Sequence, residues 1–291
     1  MTDPTDYAGF FVNLDRGEKR RAETEGELDR CGILSSYTRF AAAEGNSLNV
    51  PNPHNLSAGV IGCFTLHYLL LKQNLGTQSH LHVVEDEVVF ASCTEQVVKW
   101  AIASGYLDAY DLVFCDVSVP LRNEIHKMYK AAWDKAVKRN AKAGIESVAF
   151  EVIDIGNRTY ASTGSFLVNR NSVQKVHDVF AAELLNGPTN PVDIIIRERN
   201  FRGALKAGCI FPFVTSVRLG NSFASTIDAR MDREPELAVD IARQMFFVES
   251  DWDKCQAYLD RYAPLPGSDD RLAQMLTHLL SYSLTDKYRF V

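Results

Sequence analysis

Short apolar runs alternate with longer amphipathic ones along most of this chain. From Gly9 to Leu14 the run GFFVNL is rich in strand formers, and it gives way to DRGEKRRAETEGELDRCG, which is charged and helical in character as far as Gly32. The spacing predicts a strand followed by a helix. NLSAGVIGCFTLHYLLLKQNLG predicts a second helix: Ser57 suits an N-cap, Gly76 suits a stop, and Val60, Phe64, His67 and Leu71 fall on one stripe at i, i+4, i+7 and i+11. LHVVEDEVVFA reads as a buried strand that meets three acids. LVFCDVSVP and SVAFEVIDI supply further strands, and TGSFLVNRNSVQKVHDVFAAELL reads as strand, turn and helix. Alternation of this kind predicts an α/β fold, a mainly parallel sheet with helices on both faces.

Beyond about residue 230 the pattern becomes helical. PELAVDIARQMFFV and RLAQMLTHLLSYSL are amphipathic, with APLPGSDD as a loop between them. The expected organisation is a domain over residues 1–230 and a C-terminal helical segment over 231–291. The apolar positions of that segment, Phe246, Phe247, Leu272, Met275 and Leu279 among them, must be buried against something. Packing on the chain's own sheet and pairing with a second copy both satisfy this, and a homo-oligomer made through the segment is one expectation.

Composition narrows the function classes. The 291 residues are 46% hydrophobic and carry a formal charge of −6, so there is no excess of Lys and Arg to neutralise phosphates, and neither nucleic acid nor an anionic membrane surface is an expected partner. The six cysteines contain no C-x-x-C and follow no repeating interval, which suggests reduced thiols in a cytosol. The first residues carry acids where a secretory leader needs Lys or Arg. No run reaches the roughly 20 apolar residues of a membrane span. A cytoplasmic protein without a transmembrane segment is therefore expected.

The most informative stretch is Glu85, Asp86 and Glu87, which interrupts an apolar strand. Three adjacent carboxylates repel one another and cost desolvation unless a cation or hydrogen-bond donors compensate. In an open α/β sheet, ligands bind outside the carboxyl ends of the strands, where this triplet would stand. A hard divalent cation such as Mn²⁺ or Mg²⁺ would suit such oxygens, and so would a solvated acidic turn suit the same residues.

FFVNLDRGEKRR, LSAGVIGCFTLHYLLLK, VVEDEVVF, STGSFLVNR, NPVDIII and LGNSFASTID occur in an order and approximate spacing that resemble glycosyltransferase family 25, over roughly residues 9–230. The resemblance implies a GT-A-like fold, a UDP-sugar donor, typically UDP-galactose, a divalent metal (Mn²⁺ or Mg²⁺), a hydroxyl acceptor and inversion at the sugar carbon. It sets Glu85 and Glu87 as metal ligands and Asp86 beside them on the donor side, with Glu87 standing where the family has Asp. Asp193 matches the family's Pro-Val-Asp and would be the catalytic base; read from the residues alone, an acid after Pro191 either caps a helix or faces a site.

Arg16 and Arg20 open the first helix and could hold a diphosphate, while Arg20 and Arg21 point about 100° apart, so that at least one is expected in solvent. His67 matches a family histidine that follows Ser, here Leu66; a core histidine with satisfied nitrogens and a substrate contact are both open. Thr163, Gly164 and Phe166 match an acceptor-side wall, with Phe166 in place of the usual Tyr. Asn221 and Ser222 match an Asn-Ser pair that would orient UDP or the metal, and a turn suits the same residues. The altered third acid and the absent Ser leave room for a catalytically impaired protein that binds a nucleotide sugar or a partner, and a hydrolase of nucleotide sugars is a further alternative.

Overall fold

A computed structural model describes residues 7–42, 49–119 and 150–219, together with 124, 127–128, 130–131, 134, 240–241, 243–244, 246–251 and 253–255. The elements run β1 (Tyr7–Leu14), α1 (Glu18–Arg30), β2 (Tyr37–Ala42), α2 (Ala58–Gln73), β3 (His80–Glu85), β4 (Val88–Phe90), α3 (Thr94–Ala103), α4 (Tyr106–Ala109) and β5 (Leu112–Phe114). They continue as β6 (Glu151–Asp154), β7 (Ser165–Val168), α5 (Val173–Asn186), α6 (Val192–Phe201), β8 (Ala207–Phe211) and β9 (Thr215–Val217).

Seven strands form one sheet in the order β2-β1-β3-β7-β5-β8-β6. β2, β1, β3, β5 and β8 run in one direction, and β7 and β6 run against them. The sheet is thus mostly parallel but mixed. Residues alternate between its faces, and each face has its own core. Leu81 and Val83 of β3, Leu112 and Phe114 of β5, and Phe166 and Val168 of β7 pack under α2, α5 and α6. Val84, Val113 and Leu167 turn to the other face, with Leu28 of α1 and Val97 and Val98 of α3.

Local sequence explains the elements that frame the site. The Ser57 hydroxyl accepts the backbone N–H of Val60 at 3.3 Å, the N-cap expected for α2. That helix buries more than a stripe: Ile61, Thr65, Leu66 and Leu70 are buried as well as Val60, Phe64, His67 and Leu71, because α2 packs against α5 as well as the sheet, and Phe64 meets Phe180 edge-on with centroids 5.3 Å apart. The expected single strand across the triplet is two: β3 ends at Glu85, Asp86 and Glu87 turn, and β4 leaves to pair with β9 in a separate two-stranded sheet.

Past residue 230 the described residues pack on the chain's own sheet. Phe246 and Phe247 are buried, Phe246 against Phe211 and Phe213, and the Phe213 N–H donates to the Phe246 carbonyl at 2.7 Å. Leu272, Met275 and Leu279 lie outside the described residues. Among the described residues no helix is long and apolar enough to cross a membrane.

Candidate functional site

Strand direction gathers the chemistry at one edge of the sheet. The carboxyl ends of β1, β3 and β5 carry Asn13, Glu85 and Asp116, and because β7 runs the other way its amino end brings Thr163 and Gly164 to the same edge. The register sets Val84 opposite Ser165, and the Glu85 N–H donates to the Gly164 carbonyl at 2.8 Å. Thr163 is therefore the neighbour of Glu85, and its hydroxyl donates to Glu85 Oε1 at 2.7 Å.

The three acids diverge. Asp86 turns toward α1, where Asn13 Nδ2 donates to it at 2.6 Å and Arg20 Nη1 at 3.4 Å. Its carbonyl accepts from the Thr24 hydroxyl and from Arg218 Nη1. Glu85 faces His67 and Thr163; burial alone would raise its carboxyl group, but His67, Thr163 and Arg243 together hold it below the ordinary value. Glu87 goes the other way: burial, then the charge of Glu85, pushes it up to about 7 against the pull of Arg243 and Arg20.

Asp193 lies in the first turn of α6, after Pro191. Its Oδ2 accepts the Ser162 N–H at 2.8 Å and its Oδ1 the Ile194 N–H at 2.9 Å, so it anchors the turn before β7 while each oxygen keeps a further lone pair. Its charge reaches the cluster: the Cys63 thiol is driven up first by burial and then by Glu85, Asp193 and Glu87. Asp193, the two glutamates and Thr163 therefore share one environment around Cys63.

Arg20 joins the site through Asp86, whereas Arg16 is exposed and Arg21 pairs along the helix with Glu25 at 2.8 Å. His67 is buried, but its Nε2 has no hydrogen-bond partner and stands 3.7 Å from Glu85 Oε1; it is not the satisfied core histidine that its apolar stripe suggests. Phe166 is 3% exposed and packs on His67 and Phe114, so it supports the histidine from within the core. At Gly164 the close approach is made by an arginine: an added Cβ would stand 2.9 Å from Arg243 Nη2. Asn221 and Ser222 lie outside the described residues.

Three residues of the site are not singled out by sequence reasoning. Asp116, fully buried one residue beyond Cys115, accepts Thr215 Oγ1 at 2.8 Å and both Nε and Nη2 of Arg243. Arg243 also donates to Ser162 Oγ at 2.9 Å and to Ser118 Oγ at 3.3 Å. Arg218 holds Glu23 at 2.9 Å with Nη1, while its buried Nη2 has no hydrogen-bond partner. Asp116 carried a signal, an acid at the end of the apolar run LVFC, by the same rule that marks the triplet. Arg243 carried none, being one charge on an amphipathic helix.

No protein-family model matches the chain, and no curated protein is similar to it.

Proposed function

We propose that this protein is an inverting glycosyltransferase of GT-A-like architecture that moves a sugar, galactose by the motif resemblance, from a UDP-sugar to a hydroxyl acceptor. The observation that carries the reading is the gathering of Glu85, Asp86, Glu87 and Thr163 at the carboxyl edge of the sheet, where Glu87, raised to about 7 by burial and by Glu85, is a group that a divalent cation would relieve. Glu85 and Glu87 are the residues to hold that cation, and oxygen donors suit Mn²⁺ or Mg²⁺. When bound, the cation neutralises charge on the leaving UDP.

The chain's own residues supply the remainder. Arg20, paired with the Asp86 carboxylate, and Arg218, which donates to the Asp86 carbonyl and pairs with Glu23, are the guanidinium groups that would hold a diphosphate on the donor side. Asp193 takes the proton of the acceptor hydroxyl as that oxygen bonds to the anomeric carbon from the face opposite UDP. The bond between that carbon and the diphosphate oxygen breaks, and its electron pair leaves with UDP. Thr163 fixes Glu85, and with Gly164 stands on the acceptor side.

The two backbone N–H groups already held by Asp193 favour a second reading, donor binding without transfer. Calorimetric titration with UDP in Mn²⁺, beside a screen of UDP-sugars for Mn²⁺-dependent turnover, separates the two. Mn²⁺-dependent UDP binding that disappears in a folded Glu87→Gln variant is the expected result, since a neutral amide is a poor ligand for a hard cation. UDP affinity indifferent to Mn²⁺ and to that substitution would sink the donor assignment; binding without turnover would leave the second reading.

A further inference from the structure

Cys63 and His67 are four residues apart on α2, so one face of the helix delivers a thiol and an imidazole to the same spot. There they meet Glu85, and one ligating atom from each of the three lies within 4.8 Å of the other two. His67 is 2% exposed, and its buried Nε2 makes no hydrogen bond but stands 3.7 Å from Glu85 Oε1, a gap that a cation bound to both atoms would fill. We propose that Cys63 Sγ, His67 Nε2 and Glu85 Oε1 bind a divalent transition metal of the zinc type. This goes beyond the transferase reading, whose hard cation is held by oxygens of Glu85 and Glu87, so that the two sites share the Glu85 carboxylate; a thiolate and an imidazole select Zn²⁺ or Co²⁺ over Mn²⁺ or Mg²⁺.

The geometry meets the requirements of such a site. Metal–ligand bonds of about 2.0–2.3 Å set tetrahedral ligand atoms roughly 3.3–3.8 Å apart. His67 Nε2 and Glu85 Oε1 already stand at 3.7 Å, and Cys63 Sγ lies within 4.8 Å of both. Supporting contacts are in place: Thr163 Oγ1 donates to Glu85 Oε1 at 2.7 Å, and the Phe166 ring lies against the imidazole with centroids 5.6 Å apart, fixing its plane. Binding releases the thiol proton to solvent, and three protein ligands leave a fourth position open.

The test is spectroscopic and contains no nucleotide, so its failure is separate from that of the transferase reading. Full-length protein stripped with a chelator is titrated with Co²⁺, whose bond to a thiolate gives a charge-transfer absorption that oxygen ligands do not. The expected result is one equivalent of this absorption, displaced by Zn²⁺, lost in Cys63→Ser and retained in Glu87→Gln. Thr163→Val should keep the absorption with roughly 10- to 100-fold weaker affinity. Circular dichroism confirms that each variant is folded, and the wild-type titration stands whether or not a variant folds. Absence of the absorption in the wild type, or its persistence in Cys63→Ser, would overturn the site. Its loss in folded Glu87→Gln would overturn the three-residue ligand set.

Discussion

Glu87 gives up its proton near pH 7, whereas in the unfolded chain it does so near the ordinary value of 4.5. Between those two pH values the folded protein holds more protons than the unfolded one, so this residue makes stability fall as pH rises through that window. Thermal unfolding followed from pH 5 to pH 8 should show this decline, and Glu87→Gln should flatten it. Glu85 has the opposite sign, since its lowered value adds stability that disappears only below the ordinary carboxylate range, and the two effects occupy different windows. The same proton competes with a cation, so Mn²⁺ affinity should weaken as pH drops below about 7. For Asp193 the expected pattern is kinetic. Asp193→Asn should keep UDP and Mn²⁺ binding and lower turnover by roughly 10²- to 10⁴-fold, the usual contribution of a general base. Loss of donor binding together with turnover would instead make it a residue that only anchors the Ser162 turn.

At the scale of elements, the strands and helices around the site are legible from periodicity and capping. Ser57, the run GFFVNL and the short apolar runs of β3, β5 and β7 act locally, and local rules read them. What the sequence hides is partnership between distant segments. Nothing in STGSFLV indicates that Thr163 faces Glu85, because that follows from the antiparallel register of β3 and β7. Nor does it indicate that Gly164 makes room for Arg243. Gly164→Ala should therefore act through the arginine: a methyl 2.9 Å from Nη2 pushes on a guanidinium that Asp116 holds, with a cost of about 1–3 kcal/mol, as for other overpacked sites. Denaturant unfolding measures that loss. An unchanged midpoint would mean that Arg243 yields freely.

For the whole molecule, the legible division at residue 230 is one of pattern, and the described contacts cross it. Arg243 is 4% exposed and Asp116 is fully buried, so each needs the other's charge. Removing one partner of a buried pair costs about 3–5 kcal/mol. A typical domain is stable by only about 5–15 kcal/mol. A chain ending near Ala229 also loses Phe246 from the core, so it should be insoluble or unfold at markedly lower temperature than the full chain. Light scattering of the full chain tests the expected homo-oligomer separately, and a monomer would leave self-packing as the segment's role.

The bond between Asp116 and Arg243 spans 127 positions. A ribosome makes the chain from its amino end, and Asp116, the acidic triplet and Asp193 all emerge well before the guanidinium that reaches Asp116. During translation the edge of the sheet that carries the acids is thus completed late, from a stretch that the exit tunnel is still covering when the strands are already free to pair. Until then Asp116 has no reason to stay dry, and the nascent sheet exposes that edge to whatever chaperone or counter-ion meets it first.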